Sequence, residues 1–137
     1  MKKITSIMLV VLFCFFMVVP ISALENGATP RYNNTAKTSY DFYISSAGEA
    51  EIFLGYSGYE GVTTGATITS KIQKKTLWWW NDVDGASWTD EATGHYYTVV
   101  HYFNLSKSGT YRLVYEYQIR GTGGAADVIS GNVEDKF

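Results

Sequence analysis

The stretch TYRLVYEYQIR, residues 110–120, decides the fold class of this chain. Apolar side chains occupy every second position from Tyr111 to Ile119, and polar ones fill the positions between them, except at Val114. In an extended chain, a period of two places each set on its own face. The stretch therefore predicts a β-strand that buries one face and exposes the other.

Related patterns precede this strand. Apolar and polar residues alternate over residues 40–44, 50–56 and 66–73, which predicts three further strands. Residues 95–105 are apolar at both parities, which is typical of a strand that is central or covered on both faces. No stretch in this part of the sequence has a convincing helical period.

Small and glycine-rich segments separate the predicted strands. Residues 106–109 predict a hairpin turn between the strands at 95–105 and 110–120. The glycine-rich residues 121–124 predict another turn, which leads into a short last strand at 126–132.

Together these segments predict an all-β domain, an antiparallel immunoglobulin-like β-sandwich of about six to eight strands. A β-barrel is the alternative. The predicted core consists of Tyr111, Leu113, Tyr115, Tyr117, Ile119, Ile52, Leu54, Ile68, Ile72, Val99 and Phe103.

The first residues have the pattern of a secretory signal peptide. Lys2 and Lys3 precede an apolar run at residues 7–19, and a small residue, Ala23, follows at the expected cleavage position. The apolar run is shorter than the roughly 20 residues that span a bilayer. We expect a signal peptide at residues 1–23 and a secreted, extracellular protein.

The remainder divides into two parts. Residues 24–38 lack a hydrophobic period and predict a flexible N-terminal arm, and residues 39–137 predict a single domain. The only cysteine, Cys14, lies in the signal peptide, so the core of the secreted form must hold it together without disulfides.

Charge argues against two classes of partner. The chain has a net charge of −2, whereas nucleic acids and anionic lipids attract clustered Lys and Arg. The one basic cluster, Lys71, Lys74 and Lys75, is interpreted as a solvated strand face. We therefore expect no nucleic-acid partner and, after signal cleavage, no membrane partner.

The order of several motifs resembles a group of small exported proteins of Gram-positive bacteria (Firmicutes), generally of unassigned function. The resemblance rests on Ile68, on Ile72–Lys74 followed by Trp, and on residues 109–112 entering a tyrosine-rich strand and a glycine hairpin. It covers roughly residues 40–133. It implies an immunoglobulin-like sandwich and a bacterial source, and the run of three Trp departs from the single Trp of that pattern.

The sequence contains no recognisable catalytic motif. It contains no Gly-x-Ser-x-Gly elbow and no His-Glu-x-x-His motif. His95 and His101 would stand about 20 Å apart on one strand, too far for a shared site. We expect a non-enzymatic protein without a cofactor, and a small glycosidase whose two carboxylates meet in space is the enzymatic alternative.

The acidic segment Asn81–Gly85 alternates carboxylates as a calcium loop does. Its glycine is misplaced, however, and Thr93 stands where such a loop needs a bidentate Glu. We interpret the segment as an acidic surface turn ending at Gly85, and we predict no metal site.

The run Trp78–Trp80 is the most unusual local feature. If the strand continued through it, Trp78 and Trp80 would face inward and Trp79 outward. Outward indole and phenol rings can stack on sugar rings or anchor a protein, with polar groups at their rim. The predicted ligand-binding residues are Trp79, Trp88, Tyr96, Tyr102, Asn81 and Asp82.

These observations predict a non-catalytic module that binds an extracellular glycan or protein through an exposed aromatic patch. A structural or cell-surface interaction domain without a small ligand is the alternative, and a membrane-active role is less favoured. A further alternative is that the Trp residues only cover the edge of the core.

Overall fold

The computed structural model describes residues 31–137, which form seven β-strands and no helix. The predicted signal peptide and residues 24–30 of the predicted arm lie outside the described residues. The strands are β1 (Thr35–Ile44), β2 (Glu49–Gly58), β3 (Thr63–Thr76), β4 (Trp79–Thr93), β5 (Tyr96–Asn104), β6 (Thr110–Gly121) and β7 (Asp127–Lys136).

The strands form two antiparallel sheets. One has three strands in the order β1-β2-β5, and the other has four in the order β4-β3-β6-β7. The prediction of an all-β domain with antiparallel pairing is confirmed. The immunoglobulin-like connectivity stays a prediction.

The core lies between the inward faces of the two sheets. Strand β6 runs through the middle of the larger sheet, and its apolar set is buried as the alternation requires. Val99 and Phe103 are only partly buried, because β5 is the last strand of its sheet. The other predicted core residues are buried: Tyr111, Leu113, Tyr115, Tyr117, Ile119, Ile52, Leu54, Ile68 and Ile72.

Strand β5 corrects two predictions. It pairs with β2 whereas β6 pairs with β3, so residues 105–109 connect the two sheets and do not form a hairpin. It is also an edge strand with one exposed face, not a central one. A short Ser- and Gly-containing segment allows a sharp change of direction without specifying which strand follows as partner.

The start of β1 corrects the boundary of the predicted arm. The chain joins the domain by Asn34, which is buried, and β1 begins at Thr35. The Asp127 carboxylate accepts hydrogen bonds from Asn33 N at 3.1 Å, Asn34 N at 2.8 Å and Thr35 Oγ1 at 2.8 Å. These polar contacts hold the segment, which explains why it has no hydrophobic period.

No strand continues through the whole run Trp78–Trp80, because β3 ends at Thr76 and β4 begins at Trp79; β4 contains the predicted acidic turn. Leu77 and Trp78 form a two-residue turn, and Thr76 pairs with Trp79 on its other side. Within β4, Val83–Ala86 oppose only Ile72, which makes a large bulge. The predicted turn is this bulge, where Gly85 supplies a φ of 77°.

Candidate binding surface

The outward face of the three-stranded sheet carries a group of exposed aromatic side chains. Strand β5 points Tyr97, Val99, His101 and Phe103 toward the other sheet, so the residues between them face away. We name the outward set Tyr43, Phe53, Tyr96, Val100 and Tyr102 the tyrosine platform.

The register places the platform residues in rows across the sheet. Tyr43, Glu51 and Tyr102 are direct neighbours on β1, β2 and β5. One row further, Phe53 lies beside Val100. From the strand spacing, the platform is about 10 Å wide, and Tyr102 and Tyr96 lie about 20 Å apart along β5.

Exposure separates the platform from an ordinary sheet face. Tyr43 is 59%, Tyr96 64% and Tyr102 61% exposed, and Val100 is also exposed. Single exposed apolar residues are common on protein surfaces, whereas several on one flat face mark a candidate contact surface. Phenol rings offer such a surface both apolar area and hydroxyl groups.

A shallow groove opens beside Tyr96, where Gly55 lacks a side chain. A Cβ atom at Gly55 would lie 2.9 Å from Thr98 Cγ2 and 3.1 Å from the Tyr97 carbonyl oxygen. The groove has a volume of about 190 Å³, with Phe53 among the residues on its apolar side. Its polar lining comes from Lys37, Ser39, Ser57 and Thr98.

Polar side chains interrupt the aromatic area. Glu51 is exposed between Tyr43 and Tyr102. Asp41, two residues before Tyr43 on β1 and opposite Phe53, is also exposed. A carboxylate between two aromatic rings can accept hydrogen bonds from the hydroxyl groups of a ligand. The surface thus combines stacking area with fixed acceptors, as small-ligand sites do.

Trp88, a predicted ligand residue, lies elsewhere. It is half-buried and shares the inward face of β4 with Ala86 and Ala92. Its ring packs edge-on against Phe103 at 6.2 Å between centroids, so it closes the gap between β4 and β5. The interpretation that Trp residues cover the edge of the core applies to Trp88.

The three neighbouring Trp residues also differ from the prediction. Trp79 is 71% exposed, but it does not share the outward face of the sheet, since it lies on the opposite parity of β4 from Trp80. Trp78 is 88% exposed because it lies in the turn and not in a strand. Trp80 is partly covered on the outward face of the four-stranded sheet. All three belong to the β3–β4 hairpin, so none extends the tyrosine platform.

Asn81 and Asp82, the predicted rim groups, follow on the same hairpin. Both line a groove of about 390 Å³ beside Phe103 and Lys107. Asp82 Oδ1 accepts a 2.6 Å hydrogen bond from Gln73 Nε2. This bond, and a second from a lysine, lower the pKa of the Asp82 carboxyl below its usual value.

A polar network around Asp82 forms a second surface on the outward face of the four-stranded sheet. Lys71 Nζ lies 3.0 Å from Asp82 Oδ2, and Arg112 Nε donates to Gln73 Oε1 at 2.7 Å. The Arg112 guanidinium lies 4.4 Å from the centre of the Trp80 ring, within cation–π range. An adjoining shallow groove of about 360 Å³ is lined largely by hydroxyl-bearing residues, including Thr69, Ser87, Thr89 and Ser130.

The two histidines do not lie on one strand as predicted. His95 lies in the turn before β5, whereas His101 Nε2 lies 2.8 Å from Asp90 Oδ2 between the sheets. Within residues 31–137, no three His, Asp or Glu side chains are grouped so that they could hold a metal ion.

The sequence analysis identified Tyr96 and Tyr102 but missed Tyr43, Phe53 and Glu51. Tyr43 and Phe53 occupy the outward parity of their predicted strands, and an aromatic residue at such a position was the available signal. Tyr43 and Phe53 share one face with the outward residues of β5 because β1, β2 and β5 are neighbours in one sheet. The alternation of residues along a strand does not reveal the order of strands.

In the part of the chain that the structure describes, no helix is long and apolar enough to cross a membrane. No protein-family model and no curated protein matches the sequence.

Proposed function

We propose that this protein is a secreted, non-catalytic binding module that recognises an extracellular glycan through the tyrosine platform. The observation that carries the proposal is the exposure of Tyr43, Tyr96 and Tyr102 on one face of the three-stranded sheet. Secretion rests on the pattern of residues 1–23.

The physical argument is the match between a sheet face and a chain of sugar rings. A sugar ring has flat C–H faces and a rim of hydroxyl groups, so it needs both stacking surfaces and hydrogen-bonding groups. Tyr43 and Tyr102 supply rings on both sides of the Glu51 carboxylate. Because the groups stand on paired strands, they are held in place before a ligand arrives.

A protein partner is the alternative for the same surface. Protein interfaces bury a more continuous apolar centre. Here Glu51, Ser57 and Thr98 divide the aromatic area into separate rings, which favours the glycan.

The test measures binding of residues 24–137 to arrays of glycans and cell-wall polysaccharides. This form contains the whole described domain with its own core. The test variant combines Tyr96→Ala with Tyr102→Ala. The control is Tyr59→Ala, which removes an exposed tyrosine in the β2–β3 connection, outside the platform.

We expect a polysaccharide to bind the parent protein and the control equally, and the platform variant at least tenfold more weakly, from the loss of two stacking contacts. Equal binding by the platform variant would refute the platform as the glycan site. Binding of an extracellular protein that the platform variant loses, with no glycan bound by any form, would select the alternative.

A further inference from the structure

The β3–β4 hairpin projects beyond its sheet. The pairing of β3 with β6 ends at Lys74 and Tyr111, whereas the pairing of β3 with β4 continues to Thr76 and Trp79. The end of the hairpin therefore has no neighbouring strand in its sheet. We name Leu77, Trp78 and Trp79 the hairpin tip.

The hairpin tip is apolar and exposed. Leu77 is 81%, Trp78 88% and Trp79 71% exposed. Three consecutive large apolar side chains at these exposures add little to the burial that stabilises the domain. Exposed apolar side chains grouped in this way mark a candidate contact surface.

The backbone at Leu77 supports the same reading. Leu77 has a φ of 56° and is the only residue other than glycine with a positive φ in the described part of the chain. Asn, Asp or Gly is usual at such a position in a two-residue hairpin loop. A leucine here costs stability in the isolated domain, which a role in binding accounts for.

Positive charge lies directly behind the tip. Residues 74–81 contain Lys74 and Lys75 and no carboxylate. The nearest carboxylate along the hairpin, Asp82, is paired with Lys71 at 3.0 Å. Neither lysine of this segment is paired with a carboxylate: Lys74 Nζ donates to the Ser108 carbonyl oxygen at 3.0 Å, and Lys75 Nζ lies 5.6 Å from the centre of the Trp80 ring. The tip therefore presents apolar side chains at its end and two cationic groups without a carboxylate partner behind them.

We propose that the hairpin tip inserts into the surface of a lipid bilayer that carries anionic headgroups. Lys75 is two residues behind Leu77, which places it about 7 Å from the end of the hairpin. When the Trp rings occupy the membrane interface, Lys74 and Lys75 lie at headgroup level, where they attract anionic lipid. A projecting tip enters a deformable bilayer without a preformed pocket.

This inference is independent of the proposed glycan site, because the tip and the platform belong to different sheets. It also revises the expectation from net charge: the chain as a whole is weakly acidic, but the end of this hairpin is cationic. The alternative is that the hairpin tip inserts into a pocket of another protein.

The test measures co-sedimentation of residues 24–137 with vesicles of phosphatidylglycerol and phosphatidylcholine, compared with phosphatidylcholine alone. The tip variant carries Leu77→Asn, Trp78→Ser and Trp79→Ser, and the charge variant carries Lys74→Gln and Lys75→Gln. The control is Tyr59→Ala, an exposed aromatic residue outside the hairpin. Circular dichroism verifies that each variant keeps its β-structure.

We expect the parent protein and the control to bind the anionic vesicles, with a shift of tryptophan emission to shorter wavelength. The tip variant should lose at least tenfold in binding, and the charge variant about fivefold for each lysine. Absence of vesicle binding by the parent, or equal binding by the tip variant, overturns the proposal. Capture of a protein through the tip by a parent form that binds no vesicle would also overturn it. If the tip variant still binds glycan, loss of membrane binding in that variant is independent of the proposed glycan site.

Discussion

Trp88 stacks on His101 across the gap between the two sheets, with ring centroids 4.9 Å apart and an angle of 15° between the ring planes. Trp88 belongs to the edge strand of one sheet and His101 to the edge strand of the other. Asp90 Oδ2 lies at hydrogen-bond distance, 2.8 Å, from Nε2 of the same imidazole, and the Asp90 side chain is only 14% exposed. This cluster closes one side of the sandwich.

We therefore expect Trp88→Ala to lower the free energy of unfolding by roughly 2–3 kcal/mol, since the ring is half-buried and its removal leaves a cavity. The exposed Trp79 provides a matched control: Trp79→Ala should change stability by less than about 0.5 kcal/mol. Urea unfolding followed by circular dichroism measures both. Equal effects of the two substitutions would contradict the placement of Trp88 between the sheets.

Leu77→Asn should stabilise the isolated domain. The residue has a φ of 56°, which asparagine adopts at lower cost than leucine, and little burial is lost at this exposed position. We expect the free energy of unfolding to rise by roughly 0.5–1 kcal/mol. Trp78→Asn is the control, because Trp78 has no positive φ, and thermal unfolding should show no comparable gain. A decrease for Leu77→Asn would show that Leu77 packs within the domain.

Asp127, the first residue of β7, should hold the start of β1 to the four-stranded sheet. Replacement by alanine leaves Asn34 N and Thr35 Oγ1 without their carboxylate partner in a buried setting. We expect Asp127→Ala to cost about 2–4 kcal/mol and to speed amide hydrogen exchange at residues 33–36. The exposed Asp84→Ala is the control, and unchanged exchange at residues 33–36 would argue against the contact.

Stability should fall in alkaline solution because of a buried tyrosine. Burial raises the pKa of Tyr117 from its usual 10.0 to about 12, and its hydroxyl donates a hydrogen bond to the Ser39 carbonyl at 2.7 Å. The unfolded chain loses this proton at lower pH than the folded protein. The contribution is therefore complete below about pH 10 and is lost as the pH rises toward 12, with a slope of at most about 1.4 kcal/mol per pH unit.

The alkaline effect is measured by urea unfolding between about pH 9 and about pH 11. Tyr117→Phe removes the titrating group, so its stability should fall less steeply in this window, although it is lower at neutral pH by about 1 kcal/mol. Burial also raises the pKa of Tyr115, which leaves part of the slope in the variant. An unchanged slope would show that Tyr117 does not titrate in the folded protein as described.

The sequence by itself determined the class of structure and most of the core. Alternation assigns each residue of a strand to one face, so Leu113, Tyr117 and Ile68 were placed inward before any strand order was known. The same rule identified Tyr96 and Tyr102 as outward residues. The signal peptide remains a prediction from the sequence alone.

Only the tertiary structure decided which strands are neighbours. Alternation has the same form in an edge strand and a central one, so β5 looked covered, although its outward rings form a platform with Tyr43. For the same reason, Trp88 and Trp79, both on β4, have opposite surroundings: Trp88 faces β5, and Trp79 is exposed at the end of the β3–β4 hairpin. Local sequence sets the face on which a side chain lies, but the contacts on that face come from strands distant in the chain.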